Sequence, residues 1–262
     1  MGAAADEPVI TLPSRAVPRT LVTIATYNEL ENLPALTAAI HDVAPTVDIL
    51  VIDDNSPDGT GRWADEAAAR DPRLQVLHRP GKLGLGTATI AGMEYALERG
   101  YEWVLNMDGD FSHHPRYLPT ILAEMPNADV VIGSRYVPGG GVRDWPLKRR
   151  LMSRAVNFYA RVLLGLKSRD CSGAYRAYRS DVLRRLDLRA IRSRGYSFQE
   201  EILWVLKRAG ARFVETPILF ADRERGQSKI NQREAWAALA IIFRLGLANW
   251  LGGQCPAVRP QK

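Results

Sequence analysis

Val104-Leu105-Asn106-Met107-Asp108-Gly109-Asp110-Phe111-Ser112-His113-His114-Pro115 is an apolar run that stops at two carboxylates one residue apart and gives way to loop-forming residues. A short apolar run of this kind reads as a buried strand, and the carboxyl ends of strands are where open α/β sheets bind ligands. Two carboxylates at a strand end repel each other unless a cation lies between them. Mg2+ and Mn2+ favour such oxygens and take one or two carboxylates together with substrate phosphates. The segment therefore reads as a metal–diphosphate site, with a solvated acidic turn as the plainer alternative for the triplet alone.

Working outward, the chain alternates strand and helix. Strands are expected at residues 21–25, 49–52, 74–78, 103–106 and 130–133, with helices at 31–43, 61–70 and 87–99 between them. Such alternation implies βαβ crossovers and a mostly parallel sheet. The second half departs from it. A Pro/Gly-rich loop at 138–145 leads into a basic amphipathic helix at 147–166, where Leu151, Ala155, Phe158, Val162 and Leu166 share one face and Arg150, Arg154 and Arg161 line its edge. A helix at 199–209 and a strand at 213–220 follow. Residues 234–250 are nearly all apolar apart from Arg244, too short to span a bilayer comfortably and suited to an interface.

The bulk numbers set outer bounds. At 262 residues and 46% hydrophobic content the chain buries a full core, which excludes global disorder. A net charge of +6 points to an anionic partner: nucleic acid, anionic lipid or a phosphorylated substrate. Cys171 and Cys255 are too few and too far apart for a disulfide framework or metal cluster, so a reducing compartment is the default. No run of ~20 uninterrupted apolar residues reads as a membrane span. The first residues, with Asp6, Glu7 and several prolines, do not read as a signal peptide. No recognition helix, RNA-binding aromatic signature or zinc-finger spacing supports nucleic acid as the partner.

Several blocks then occur in order: Ala25-Thr26-Tyr27-Asn28-Glu29, Asp53 to Gly59, Lys82 to Thr87, Met107 to Pro115, Gly133-Ser134-Arg135-Tyr136, Asp170 to Arg176, and Arg223 to Lys229. Over residues 20–230 together they resemble the dolichyl-phosphate (polyprenyl-phosphate) mannose synthases, inverting GT-A glycosyltransferases of family 2. Two departures stand out. Ala25 replaces the usual proline, and Ser112 stands where some relatives carry an additional metal-ligating glutamine.

The resemblance implies an α/β GT-A fold at residues 20–232, preceded by a loose arm (1–19) and followed by an apolar interfacial helix (233–252) and a tail (253–262). It implies transfer of mannose from GDP-mannose to a polyprenyl or dolichyl monophosphate, with Mg2+ or Mn2+ held by Asp108 and Asp110. Ala25, Tyr27, Glu29, Ile52 and Asp54 would line the nucleotide pocket, and Met107 and Gly109 would be further substrate-binding residues. Arg135, Arg223 and Lys229 would surround the phosphates, and Ser172 and Arg176 would grip the acceptor phosphate. Asp110, Arg135 and Lys229 carry the expected catalytic roles.

From the residues alone, Tyr27 can stack on a base and Glu29 can accept from a purine or ribose. Asp53 can instead bind its own turn. Gly84 and Gly86 suit either an anion at a helix N-terminus or an ordinary strand–helix turn. His113 and His114 are expected to shape the loop and not to bind zinc. Peripheral attachment to the cytoplasmic membrane face is expected, and the resemblance admits a separate membrane subunit. The alternatives are the same fold using UDP-glucose, and a non-catalytic nucleotide-sugar or nucleic-acid binding protein.

Overall fold

The computed structural model describes residues 18–195, 197–221 and 232–260. Its first half alternates as expected: β1 (Thr20–Thr26), α1 (Leu33–Val43), β2 (Asp48–Asp53), α2 (Thr60–Ala68), β3 (Leu74–His78), α3 (Leu85–Glu98), β4 (Trp103–Asp108), α4 (Leu118–Glu124) and β5 (Val130–Ser134). Then come β6 (Gly141–Val142), α5 (Leu147–Leu164), β7 (Arg176–Arg179), the short α6 (Ser180–Leu183), α7 (Phe198–Arg208), β8 (Phe213–Pro217), β9 (Leu219–Phe220) and α8 (Gln232–Trp250).

Seven strands form one sheet in the order β3-β2-β1-β4-β7-β5-β8, all parallel to their neighbours except β7. The chain builds outward from β1 through β2 to β3, then crosses back to lay β4 on the other side of β1. That reversal is a topological switch point, where a crevice opens beyond the carboxyl ends of the strands. Its register sets Ala25 beside Asp108 across β1 and β4, and Thr26 beside Asp53 across β1 and β2. The opening motif thus lies at the edge where this sheet type binds ligands.

Side-chain alternation along the strands divides the core between the two faces. Val22, Ile24, Val51, Leu105 and Met107 pack under α1 and α4. Leu21, Leu50, Ile52, Val104 and Ile132 pack under α3, α5 and α7.

One expectation changes. The strand expected over 213–220 divides: β8 extends the main sheet beside β5, and β9 pairs with β6 in a separate two-stranded sheet. The stripe expected on α5 exists and, within the helix, faces outward. Asn157, Ala160 and Leu164 are buried, while Leu151, Phe158 and Val162 are exposed and Leu166, beyond the helix end, is buried. α8 packs alongside α5: Tyr159 donates to the Leu239 carbonyl, Asn249 donates to the Leu163 carbonyl, and Gly246 lies against Leu163. Its Phe243, Leu247 and Trp250 also stay exposed. Among the described residues no helix is long and apolar enough to cross a membrane.

Candidate active site

Three loops at the carboxyl edge, after β1, β2 and β4, each contain one non-glycine residue in the left-handed region: Asn28, Asn55 and Phe111, with φ near 60° in each case. Asparagine tolerates this conformation, whereas for phenylalanine it costs about 1–2 kcal/mol. Strain of that kind persists where surroundings fix the loop, and it gathers at functional sites.

In the β4 loop, Asp110 is 5% exposed, and its Oδ1 accepts from the Ser112 amide (3.1 Å) and hydroxyl (2.5 Å). Ser112 therefore fixes the Asp110 rotamer. Asp108 leaves its carboxylate partly open, while its amide donates to His113 Nδ1 at 3.1 Å. That contact requires an unprotonated Nδ1, and burial holds the His113 pKa below its ordinary value. A neutral His113, with Nδ1 already engaged, supports the loop as the sequence reading expected.

Among the described residues no group of three or more His, Cys, Asp or Glu side chains is arranged to hold a metal. Two hard carboxylates without a third ligand among the described residues fit an ion whose remaining positions come from substrate phosphates.

Around the nucleotide side, Tyr27 is 40% exposed with Lys82 Nζ 4.9 Å from its ring centroid. Glu29 accepts from Asn32, its own amide donates to Thr60 Oγ1 at 3.0 Å, and the position a Gly109 side chain would take lies 3.4 Å from Glu29 Cγ. Asp53 is buried and accepts from Thr26 and twice from Ser56, the turn-binding role its position suggested. Asp54, also buried, is 3.1 Å from Arg79 Nε. Burial raises the Asp54 pKa, and Arg79 opposes that rise. Arg79 also donates to Thr87 at the start of α3. Its role was not visible in sequence, where it is one arginine after a strand.

Several expected contacts are corrected by burial. Ile52 and Met107 point into the two cores, so they can offer only backbone to a ligand. Gly84 and Gly86 do permit close approach, but by the chain itself: Gly86 N donates to the Arg194 carbonyl at 2.9 Å, and a side chain at Gly84 would strike that carbonyl. A Cβ on Gly86 would lie 2.8 Å from both Phe198 Cβ and the Ser193 oxygen. Gly86→Ala, ordinarily stabilising in a helix by about 1 kcal/mol, is therefore expected to destabilise by about 1–3 kcal/mol. Denaturant unfolding of the single variant measures this.

Arg176 is likewise corrected. It is fully buried on β7, and its Nη1 and Nη2 donate to the carbonyls of Gln199 and Cys171. It holds the 171–176 turn against α7 and cannot reach an acceptor. Behind it, burial pushes the Glu200 carboxyl up to about 7. Glu201 ties down the preceding loop by accepting from the Arg192 and Ser193 amides.

Arg135 follows β5 and is 8% exposed. Its Nε and Nη2 form a two-pronged ion pair with Asp170, each contact 2.7 Å, and Nη2 also donates to Ser172 at 2.9 Å. Burial disfavours both charges, yet each outweighs that penalty for the other: the Asp170 pKa lies below and the Arg135 pKa above its ordinary value. The rings of Tyr136, Trp145 and Phe220 surround the guanidinium at 5.3–5.7 Å. Phe220 in turn meets His113, which touches Asp108. Arg135 and Asp108 therefore wall one site. Asn157 of α5 pins the far side, accepting from the Cys171 and Ser172 amides and donating to Ser172 Oγ. Arg223 and Lys229 lie outside the described residues.

Comparison with known proteins agrees with this architecture. Residues 21–187 match the family model for glycosyl transferase family 2. The chain belongs to that family and is a glycosyltransferase of the GT-A fold. Undecaprenyl-phosphate mannosyltransferase of Micrococcus luteus is 49% identical over 89% of this chain and 97% of its own. Polyprenol monophosphomannose synthase of Mycolicibacterium smegmatis is 48% identical over 95% of this chain and 93% of its own. Among solved structures, glucosyl-3-phosphoglycerate synthase from Mycobacterium tuberculosis, in complex with Mn2+, UDP-glucose and phosphoglyceric acid, superposes with a TM-score of 0.64. It covers 92% of this chain and 82% of its own at 17% identity, a likeness of fold.

Proposed function

We propose that this protein transfers mannose from GDP-mannose to the phosphate of a polyprenyl monophosphate, with inversion at the anomeric carbon, releasing GDP. Near-50% identity to two polyprenyl-phosphate mannosyl transferases supports the sugar and the acceptor. The observation that carries the chemistry is the shared wall of Asp108, His113, Phe220 and Arg135 at the carboxyl edge of the sheet.

Asp108 and Asp110 would hold one Mg2+ or Mn2+, which when bound neutralises charge growing on the departing diphosphate. Tyr27 offers a stacking surface for the base, and Glu29 and Asp54 offer acceptors for the nucleoside. Ala25 and Gly109 line the crevice between them. Arg135 and Ser172, locked together by Asp170 and Asn157, present fixed donors to the acceptor phosphate. Arg223 and Lys229 complete the phosphate-binding set in this proposal. A phosphate monoester, with a second pKa near ~6, is already largely ionised at neutral pH. The nucleophile therefore needs no general base, and the protein's task is to hold two anions in line. The outward apolar faces of α5 and α8 support peripheral attachment to the membrane that carries the acceptor, and we assign it to the cytoplasmic face.

The mechanism is tested by replacing polyprenyl phosphate with the free polyprenol. No glycosylated lipid is expected from the alcohol. Efficient product formation from it would require a general base and would overturn this mechanism.

A further inference from the structure

A cavity of about 650 Å3 opens between the loop after β5 and the flank of α5, with Arg135 at one end and Arg154, Phe158, Arg161 and Arg169 along its other walls. Arg135 is held by Asp170 and Ser172 and is assigned above to the acceptor phosphate. The other three guanidinium groups have no carboxylate partner among the described residues, and Arg161 Nε is buried without a hydrogen-bond partner there. Nearby Glu215 is occupied by the backbone amides of Arg169 and Asp170. Three cations with no counter-charge among the described residues, set in a concave site, attract an anion, and arginine forks fit phosphate oxygens.

The surroundings define what the anion carries. Phe158, at the cavity wall, is 67% exposed and belongs to the outward stripe with Leu151 and Val162. At 100° per residue Arg154 and Arg161 border that stripe, two turns and about 10 Å apart along the axis. An anion held there has its attached group directed onto apolar surface. The smaller adjoining cavity shares Arg135 and Arg154 and adds Arg150, whereas Arg161 and Arg169 line only the larger one, together with Phe158.

We propose that Arg154, Arg161 and Arg169 form a phosphate site for the headgroup of an anionic membrane phospholipid, separate from the acceptor phosphate at Arg135 and Ser172. A headgroup seated here would lay its acyl chains along Leu151, Phe158 and Val162 and turn the acceptor site towards the bilayer. This inference rests on the peripheral membrane reading given above.

The test is a triple variant, Arg154→Gln, Arg161→Gln and Arg169→Gln, in the full chain. None of these guanidinium groups loses a described ion-pair partner, so thermal unfolding should match the wild type. Sedimentation with phosphatidylcholine vesicles, with and without phosphatidylglycerol, reads membrane affinity. Transfer to a short, water-soluble isoprenyl phosphate reads the acceptor site. Each basic residue near an anionic leaflet contributes about a fivefold gain, so the variant should lose roughly a hundredfold in affinity for the phosphatidylglycerol vesicles. Its weak binding to pure phosphatidylcholine, and its KM for the short acceptor, should be unchanged.

A variant that binds phosphatidylglycerol vesicles like the wild type overturns the site and leaves the membrane reading standing. A matching rise in KM for the short acceptor overturns it differently, by assigning these arginines to the acceptor's own phosphate. Equal losses on both vesicle types would overturn the site, because the arginines would then not distinguish an anionic headgroup. A wild type that binds neither vesicle would remove the membrane reading itself, and this site with it.

Discussion

Asp110→Asn is expected to abolish detectable transfer while the protein stays folded. The amide can still accept from the Ser112 amide and hydroxyl, so the loop geometry is kept. What would be lost, on the proposed metal assignment, is one of the two anionic ligands offered to the ion. Removing several kcal/mol of charge stabilisation from the departing diphosphate corresponds to a loss on the order of a thousandfold in rate. Mn2+ affinity measured by calorimetry in the presence of GDP should fall in parallel. Asp110→Ala should lose as much activity and some stability besides, because it strands the buried Ser112 donors at a cost of about 1–3 kcal/mol. Substantial turnover by a well-folded Asp110→Asn protein would refute the assignment.

Asp170→Ala is expected to be the most destabilising single change at the site. Its carboxylate accepts from Arg135 Nε and Nη2 and from the Arg135 and Gly173 amides, and it is fully buried. Taking one partner from a buried ion pair costs about 3–5 kcal/mol, since the remaining charge stays in a dry site. Denaturant unfolding measures that loss, and transfer should also fall because Arg135 is no longer held. The pair has a pH signature as well. The folded-state pKa of Asp170 is depressed. Its contribution to stability is therefore full above the unfolded carboxyl value near ~3.9 and is lost as pH falls through the lower folded value. The variant should lack this acid-side loss, so the stability gap between it and the wild type should narrow at low pH.

The legible part of the fold was the part governed by short-range periodicity. β1 to β5 and the helices between them follow from apolar runs, turn residues and helical spacing, and the Asp108–Asp110 edge follows from where β4 stops. β7 was not readable. Arg176-Ala177-Tyr178-Arg179 is four residues long and shows no apolar run, yet it enters the sheet antiparallel between β4 and β5. Its place is fixed by partners far away in sequence.

The same limit governs the site. Tyr27, Glu29, Asp54, Asp108, Asp110, Arg135 and Ser172 were marked by their positions at strand ends and in family blocks. The residues that hold them were given no role, even where, like Asp170, they stand in such a block. Arg79 reaches Asp54, Asp170 fixes Arg135 across 35 positions, and Asn157 organises a loop from the middle of a helix. No spacing rule connects such pairs. Arg176 shows the converse error, because a cation beside a phosphate-binding block can be structural when the fold buries it. The α5 stripe was read correctly as amphipathic, but periodicity alone does not say which face a domain covers. Here the polar Asn157 faces inward and Phe158 outward.

The most direct test of the account is product identity. Purified protein with Mg2+ or Mn2+ and a polyprenyl phosphate, offered GDP-mannose and UDP-glucose in separate reactions, is analysed by mass spectrometry of the lipid fraction. Polyprenyl-phosphate mannose formed from GDP-mannose, dependent on the metal and absent with UDP-glucose, is the predicted result. A glucosylated lipid from UDP-glucose, or no glycosylated lipid from GDP-mannose, would contradict it.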